Sequence, residues 1–127
     1  MRSTPLLRGL LAALAIVASS AALAHPQLLS STPADNAEVA APPRIELVFS
    51  EHLLPESSAA RLVMTEMPGM AMDSPMKMAF KVTAGPDGKT MVITPTQPLP
   101  PGTYRLDWRA VSSDTHPVTG HMSFQVK

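Results

Sequence analysis

The chain has 127 residues, with ten Lys and Arg against ten Asp and Glu, nine methionines, 14 prolines and no cysteine. A formal charge of zero without any basic run leaves nothing to follow a phosphate backbone, which argues against nucleic acid as a partner. Without cysteine there is no disulfide, no thiolate ligand and no residue to carry a lipoprotein anchor.

Arg2 and Arg8 flank the start of an apolar run from Leu10 to Val17, and Ala22-Leu23-Ala24 supplies the small-x-small pattern of a signal-peptidase site. That run is shorter than the roughly 20 apolar residues of a membrane span. Residues 1–24 therefore read as a cleaved secretory signal peptide, and residues 25–127 as one domain of about 100 residues. Losing Arg2 and Arg8 leaves eight basic residues against ten acidic ones, a charge of −2.

The remainder reads as short strands separated by proline and glycine, with no helical period. A first strand is expected near residues 27–31. Residues 44–49 put Ile45, Leu47 and Phe49 on one face, and residues 60–65 repeat the pattern with Leu62 and Met64. Residues 77–83 do so again with Met78, Phe80 and Val82. GPDGK, residues 85–89, is a turn in which Pro86 presets φ and Gly88 accepts a positive one. Met91 and Ile93 then alternate with Val92 as far as Pro95. PLPPG, residues 98–102, leads into residues 103–111, where Tyr104, Leu106, Trp108 and Ala110 share one face and Arg105, Asp107 and Arg109 the other, wetter one. Residues 118–126 alternate Met122, Phe124 and Val126. About seven short strands at this spacing predict an all-β Greek-key β-sandwich or small barrel.

Two constellations carry chemistry. Cleavage after Ala24 would leave His25 with a free α-amine beside its imidazole, a two-nitrogen chelate from one residue. Pro26 has no amide hydrogen, so the chelate stops there and leaves positions open for other ligands. Asp114 and His116 lie two apart and would point the same way on an extended chain; Glu51 continues the inward parity of its strand. Two imidazoles, an amine and one or two carboxylates make a nitrogen–oxygen set suited to Cu(II). His52 and His121 read as surface residues.

The second constellation is MTEMPGMAMDSPMKM, residues 64–78, with six methionines in fifteen positions. No helical or strand period fits Met64, Met67, Met70, Met72, Met76 and Met78 together. Met78, Met91 and Met122 fall in phase with apolar strand neighbours, and Met64 fits either role. Met67, Met70, Met72 and Met76 sit among Pro, Gly, Asp and Ser, where several uncharged thioethers suit the soft ion Cu(I). A methionine surface that grips peptides is the alternative.

From HPQLLSSTPADNAEV through LVMTEMPGM and KTMVITP to GTYRLDWRAVSSDTHPVTGHMSF, nearly the whole of residues 25–127 resembles the CopC family of periplasmic copper-binding proteins. The resemblance implies a cupredoxin-like (Ig-like) Greek-key fold with Cu(II) and Cu(I) sites at opposite ends. It implies periplasmic copper tolerance or trafficking, often alongside an inner-membrane CopD-type transporter and a multicopper oxidase; the chain itself is expected to be a monomer. The Cu(II) ligands would be His25 and His116 with Asp114 and Glu51 as oxygen candidates, and the Cu(I) ligands Met64, Met67, Met70 and Met76. Familiar members carry a histidine in the methionine loop where this chain has Met72, which favours an all-thioether Cu(I) site. A copper mono-oxygenase using the same His25 chelate is the rival enzymatic reading. It would need a flat aromatic face, and only Tyr104 and Trp108 are available, both in core phase.

Overall fold

The computed structural model describes residues 25–70 and 72–127; the expected signal peptide lies outside them. The described residues form nine strands and no helix: β1 (Leu28–Thr32), β2 (Ala37–Val39), β3 (Ile45–Phe49), β4 (Ala59–Glu66), β5 (Met76–Lys77), β6 (Phe80–Ala84), β7 (Thr90–Pro95), β8 (Gly102–Val111) and β9 (Pro117–Val126). They build two facing sheets, ordered β1-β3-β7-β6 and β2-β9-β8-β4-β5, and the all-β sandwich expected from the sequence is present. All pairings are antiparallel except β2 with β9, which is parallel.

Nine strands rather than about seven arise in two places. The strand β2 is three residues long, too short for its alternation to show, and is held by the Asn36 N–H donating to Ser123 O and the Lys127 N–H donating to Val39 O. The single strand expected over residues 77–83 is two strands in different sheets. The Met78 N–H still donates to Leu62 O in the first, and the chain crosses to the second at Phe80. Phe80 is then half-buried against the core, and Val82 is 40% exposed on the edge strand β6.

The core follows the two-residue period. Ile45, Leu47, Phe49, Leu62, Met64, Met91, Ile93, Tyr104, Leu106, Met122 and Phe124 are all buried between the sheets. Phe49 meets Trp108 edge-on at 5.1 Å, and Tyr104 stacks on Phe124 at 5.4 Å. The Tyr104 hydroxyl donates to Pro100 O at 2.5 Å, a tyrosine corner that fixes the PLPPG approach to β8. Opposite Trp108 lies Gly120, where a Cβ would collide with the indole Cζ2, so only glycine leaves room for the ring.

The strand β8 sets the long dimension. Its register runs from Gly102 opposite Val126 to Val111 opposite Pro117, a length of about 30 Å at ~3.3 Å per residue. The chain entry to β1, the β3–β4 loop and the β8–β9 turn cluster at the Val111 end. The methionine segment follows Glu66, which pairs with Thr103 at the other end.

Two outcomes test this packing. Gly120→Ala forces the Trp108 ring to move and should destabilise the domain by about 1–3 kcal/mol in urea unfolding; wild-type stability would contradict the close approach. Burial pushes the Tyr104 phenol up to about 12. A raised folded-state value means stability is complete below the unfolded value and lost as pH rises towards the folded one. Since Tyr104 is the sole tyrosine, phenolate absorbance should report it alone, titrating well above pH 10 and together with alkaline unfolding. Tyr104→Phe should abolish that signal and cost about 1 kcal/mol at neutral pH.

Candidate metal centre

At the Val111 end, three backbone devices bring the nitrogen and oxygen donors together. Pro26 is fully buried, and the adjoining Gln27 exchanges bonds with Ser50: its N–H donates to Ser50 Oγ at 2.9 Å, and the Ser50 N–H donates to its carbonyl at 2.9 Å. His25 thus leaves the body of the domain from an anchored point. The β8–β9 turn closes when the Thr115 N–H donates to Ser112 O at 2.9 Å, with Thr115 at φ 64°. A β-branched residue in that region is strained, a cost of order 1–3 kcal/mol that the surrounding bonds must offset. The third device joins neighbouring loops: Leu53 bridges to Ser112, and the Leu54 N–H donates to Val111 O at 2.7 Å.

Asp114 is the hub. Its Oδ1 accepts from the buried Ser112 Oγ at 3.0 Å and from the His116 N–H at 3.2 Å, an Asx turn. Its Oδ2 lies 2.5 Å from His25 Nδ1. The His25 and His116 rings meet edge-on with centroids 5.6 Å apart. One donor atom from each of His25, Asp114 and His116 lies within 4.8 Å of the other two, close enough for a single ion to draw in all three.

Asp114 and His116 therefore converge as the sequence predicts, but through a tight turn with a left-handed Thr115, not by the parity of an extended strand. Glu51 does not join the cluster. Its strand ends at Phe49 and the chain bends at Ser50, so the inward parity of Ile45, Leu47 and Phe49 is not carried through to it. Ser112 escaped the sequence reading: its serine neighbour Ser113 is exposed, and nothing local distinguishes the buried one of the pair. His52 and His121 are exposed, as expected.

The methionines gather at the opposite end, though not as a free loop. Met64 is fully buried on β4, directly opposite Met76 of β5, so the sandwich takes this one of the five candidates into its core. Pro68 and Gly69 (φ 73°) form a tight turn in which the Met70 N–H donates to Met67 O at 3.2 Å, which brings Met67 and Met70 face to face. Met67 and Met72 are half-buried against the core, whereas Met70 and Met76 are 66% and 48% exposed. The segment thus offers two thioethers to solvent and two at the rim of the core.

Residues 28–127 match the model of the CopC domain. The chain is 59% identical over 112 residues to copper resistance protein C of Pseudomonas syringae pv. tomato, covering 88% of each chain. Its fold superposes on the crystal structure of PcoC, a copper resistance protein from Escherichia coli, with a TM-score of 0.77 and 57% identity, over 80% of this chain and 99% of that one. CopC from Methylosinus trichosporium OB3b shares the fold at a TM-score of 0.68 with 23% identity, over 81% of this chain and 94% of that one.

The hydrogen bonds at Asp114 have a measurable consequence. Partial burial works to raise its carboxyl, but the Ser112 hydroxyl, the His116 N–H and the His25 contact together hold it below its usual value of 3.8. A lowered folded-state value contributes stability above the unfolded value, lost as pH falls through the folded one. Ser112→Ala should therefore raise the Asp114 carboxyl titration seen by NMR. An unchanged Asp114 titration would contradict the hub.

Proposed function

The chain belongs to the CopC domain family, and from that premise we propose that it is a periplasmic copper-binding tolerance protein that carries the metal without turning over a substrate. The observation that carries this reading is the convergence of His25, Asp114 and His116 at one end of a rigid sandwich, with the methionines at the other. Signal cleavage after Ala24 would add the α-amine of His25 to that cluster. Cu(II) then takes the amine and imidazole of His25, the imidazole of His116 and a carboxylate. The placement of Asp114 favours it over Glu51 as the oxygen ligand.

Cu(I) is assigned to the thioethers, with Met70 and Met76 as the accessible pair, Met67 and Met72 at the rim, and the buried Met64 behind Met76. A soft monovalent ion accepts low coordination, so two or three of these sulfurs suffice. Copper then passes to an inner-membrane CopD-type transporter or a multicopper oxidase, as the family resemblance implies, and the protein acts as a monomer. The enzymatic alternative lacks support on one specific point: Tyr104 and Trp108 lie inside the sandwich, so neither supplies a flat face to hold a polysaccharide.

Separate Cu(II) and Cu(I) titrations of the processed chain test the assignment. An imidazole and an amine must lose protons to bind metal and a thioether has none to lose. From pH 7 to pH 5, Cu(II) affinity should fall by on the order of 100-fold or more, while Cu(I) affinity holds. One residue added before His25 should weaken Cu(II) alone, and Met70→Leu with Met76→Leu should weaken Cu(I) alone. Parallel loss of both ions in any of these experiments would sink the two-site reading.

A further inference from the structure

The outer face of the five-stranded sheet carries a charge pattern that neither copper end uses. On this face Arg61 lies opposite Asp107, Asp107 opposite His121, and Ala59 opposite Arg109. In the next row Val63 stands between Lys77 and Arg105. Val63 is buried although it points outward, as expected where long aliphatic stems from both neighbours lie over an apolar side chain. The central patch thus holds Arg61, Lys77, Arg105 and Arg109 around the single carboxylate of Asp107, a charge of +3. The other four basic and nine acidic residues of 25–127 give −5.

Charge this unevenly divided is not needed for the fold, since the Arg105–Asp107 pair (3.0 Å, side chains 46% and 42% exposed) is a surface interaction worth little to stability. Its effect is to fix geometry. Asp107 Oδ1 accepts from both Nε and a terminal nitrogen of Arg105, which aims that guanidinium, while Arg61 and Arg109 have no ion-pair partner among the described residues. The small residues Ala59, Thr119 and Gly120 line, with these arginines and Trp108, an open groove of about 520 Å³.

We propose that this groove docks a convex acidic segment of a partner protein, whose carboxylates pair with Arg61 and Arg109. Guanidinium forks bind carboxylates bidentately and are weakly hydrated, so arginine rather than lysine is the suited residue. A flat anionic bilayer fits less well, because it would not fill a groove. Nucleic acid is disfavoured because the ring that lines the groove, Trp108, is only 7% exposed and leaves no open face for stacking. Docking on this face leaves both ends of the sandwich uncovered, and the interaction requires no copper.

The test is an NMR titration of isotope-labelled, metal-free protein with a hexaglutamate peptide, and separately with vesicles containing phosphatidylglycerol. The expected result is a set of peptide-induced shifts confined to residues 59–61, 105–109 and 119–121, with affinity falling at least about tenfold between low and physiological salt. Arg61→Glu with Arg109→Glu should abolish the shifts, whereas Arg44→Glu, just before β3 of the other sheet, should keep them. Unchanged core resonances and copper affinities in the double variant confirm that it is folded. Absent or scattered shifts, shifts that survive the double reversal, or binding to vesicles but not to peptide would each overturn the proposal. Failure of copper binding in the wild type would refute the copper assignment and leave this one standing.

Discussion

The strict alternation of β8 is the constraint on which the rest of the molecule depends. Its inward residues Tyr104, Leu106, Trp108 and Ala110 are buried, and its outward residues Arg105, Asp107 and Arg109 are not. Because β8 lies inside its sheet, between β4 and β9, those two sets fix the parity of both neighbours. A slip of one residue would put three charges into the core and both aromatic rings of β8 into water. The tyrosine corner at its start and the Trp108–Gly120 contact near its end each hold the register at one point. Register in turn decides which residues arrive at each end of the sandwich, and hence where the two candidate ligand sets lie.

The Val111 end shows what a sheet of this kind must give up to build a site. A regular hairpin would continue the alternation, in which Asp114 and His116 share the inward parity of Ala110. Here the turn places Thr115 in a left-handed conformation and uses Ser112, Asp114 and the His116 N–H to satisfy one another. The strain is local, and burial of Pro26 and Ser112 beneath it supplies the rigid support. His25 is held by a carboxylate rather than by packing, so its ring remains accessible while its position is defined. Preorganisation of this sort lowers the ordering cost of binding an ion.

Sequence patterns were sufficient wherever a strand was long and half-buried. The strands β3, β8 and β9 lie within a residue of their expected bounds, because alternation over five or more positions rarely arises outside a half-buried strand. Patterns failed where tertiary contacts decide: β2 has three residues, and the run from Met76 to Ala84 changes sheet in the middle. The candidate ligands divide in the same way. His25 was legible because position and chemistry coincide there, and DTHP because it is a compact motif. Glu51 was misplaced by parity carried past the end of a strand. The split of the methionines into buried Met64, half-buried Met67 and Met72, and exposed Met70 and Met76 could not be read at all, since thioethers suit a core as well as a metal.

The length of β8 also limits how the two ends can communicate. Coordination bonds to copper are a few ångströms at most, whereas the ends are separated by about 30 Å of packed sandwich. A metal held at one end cannot be reached by a ligand at the other, so direct transfer within one molecule is excluded by geometry. Coupling through the protein would need a bistable element between the ends. The intervening segment is instead a fully paired strand with a close-packed face, whose rearrangement would break the core. The two ends are then nearly independent, and substitutions at one should add to those at the other without interaction.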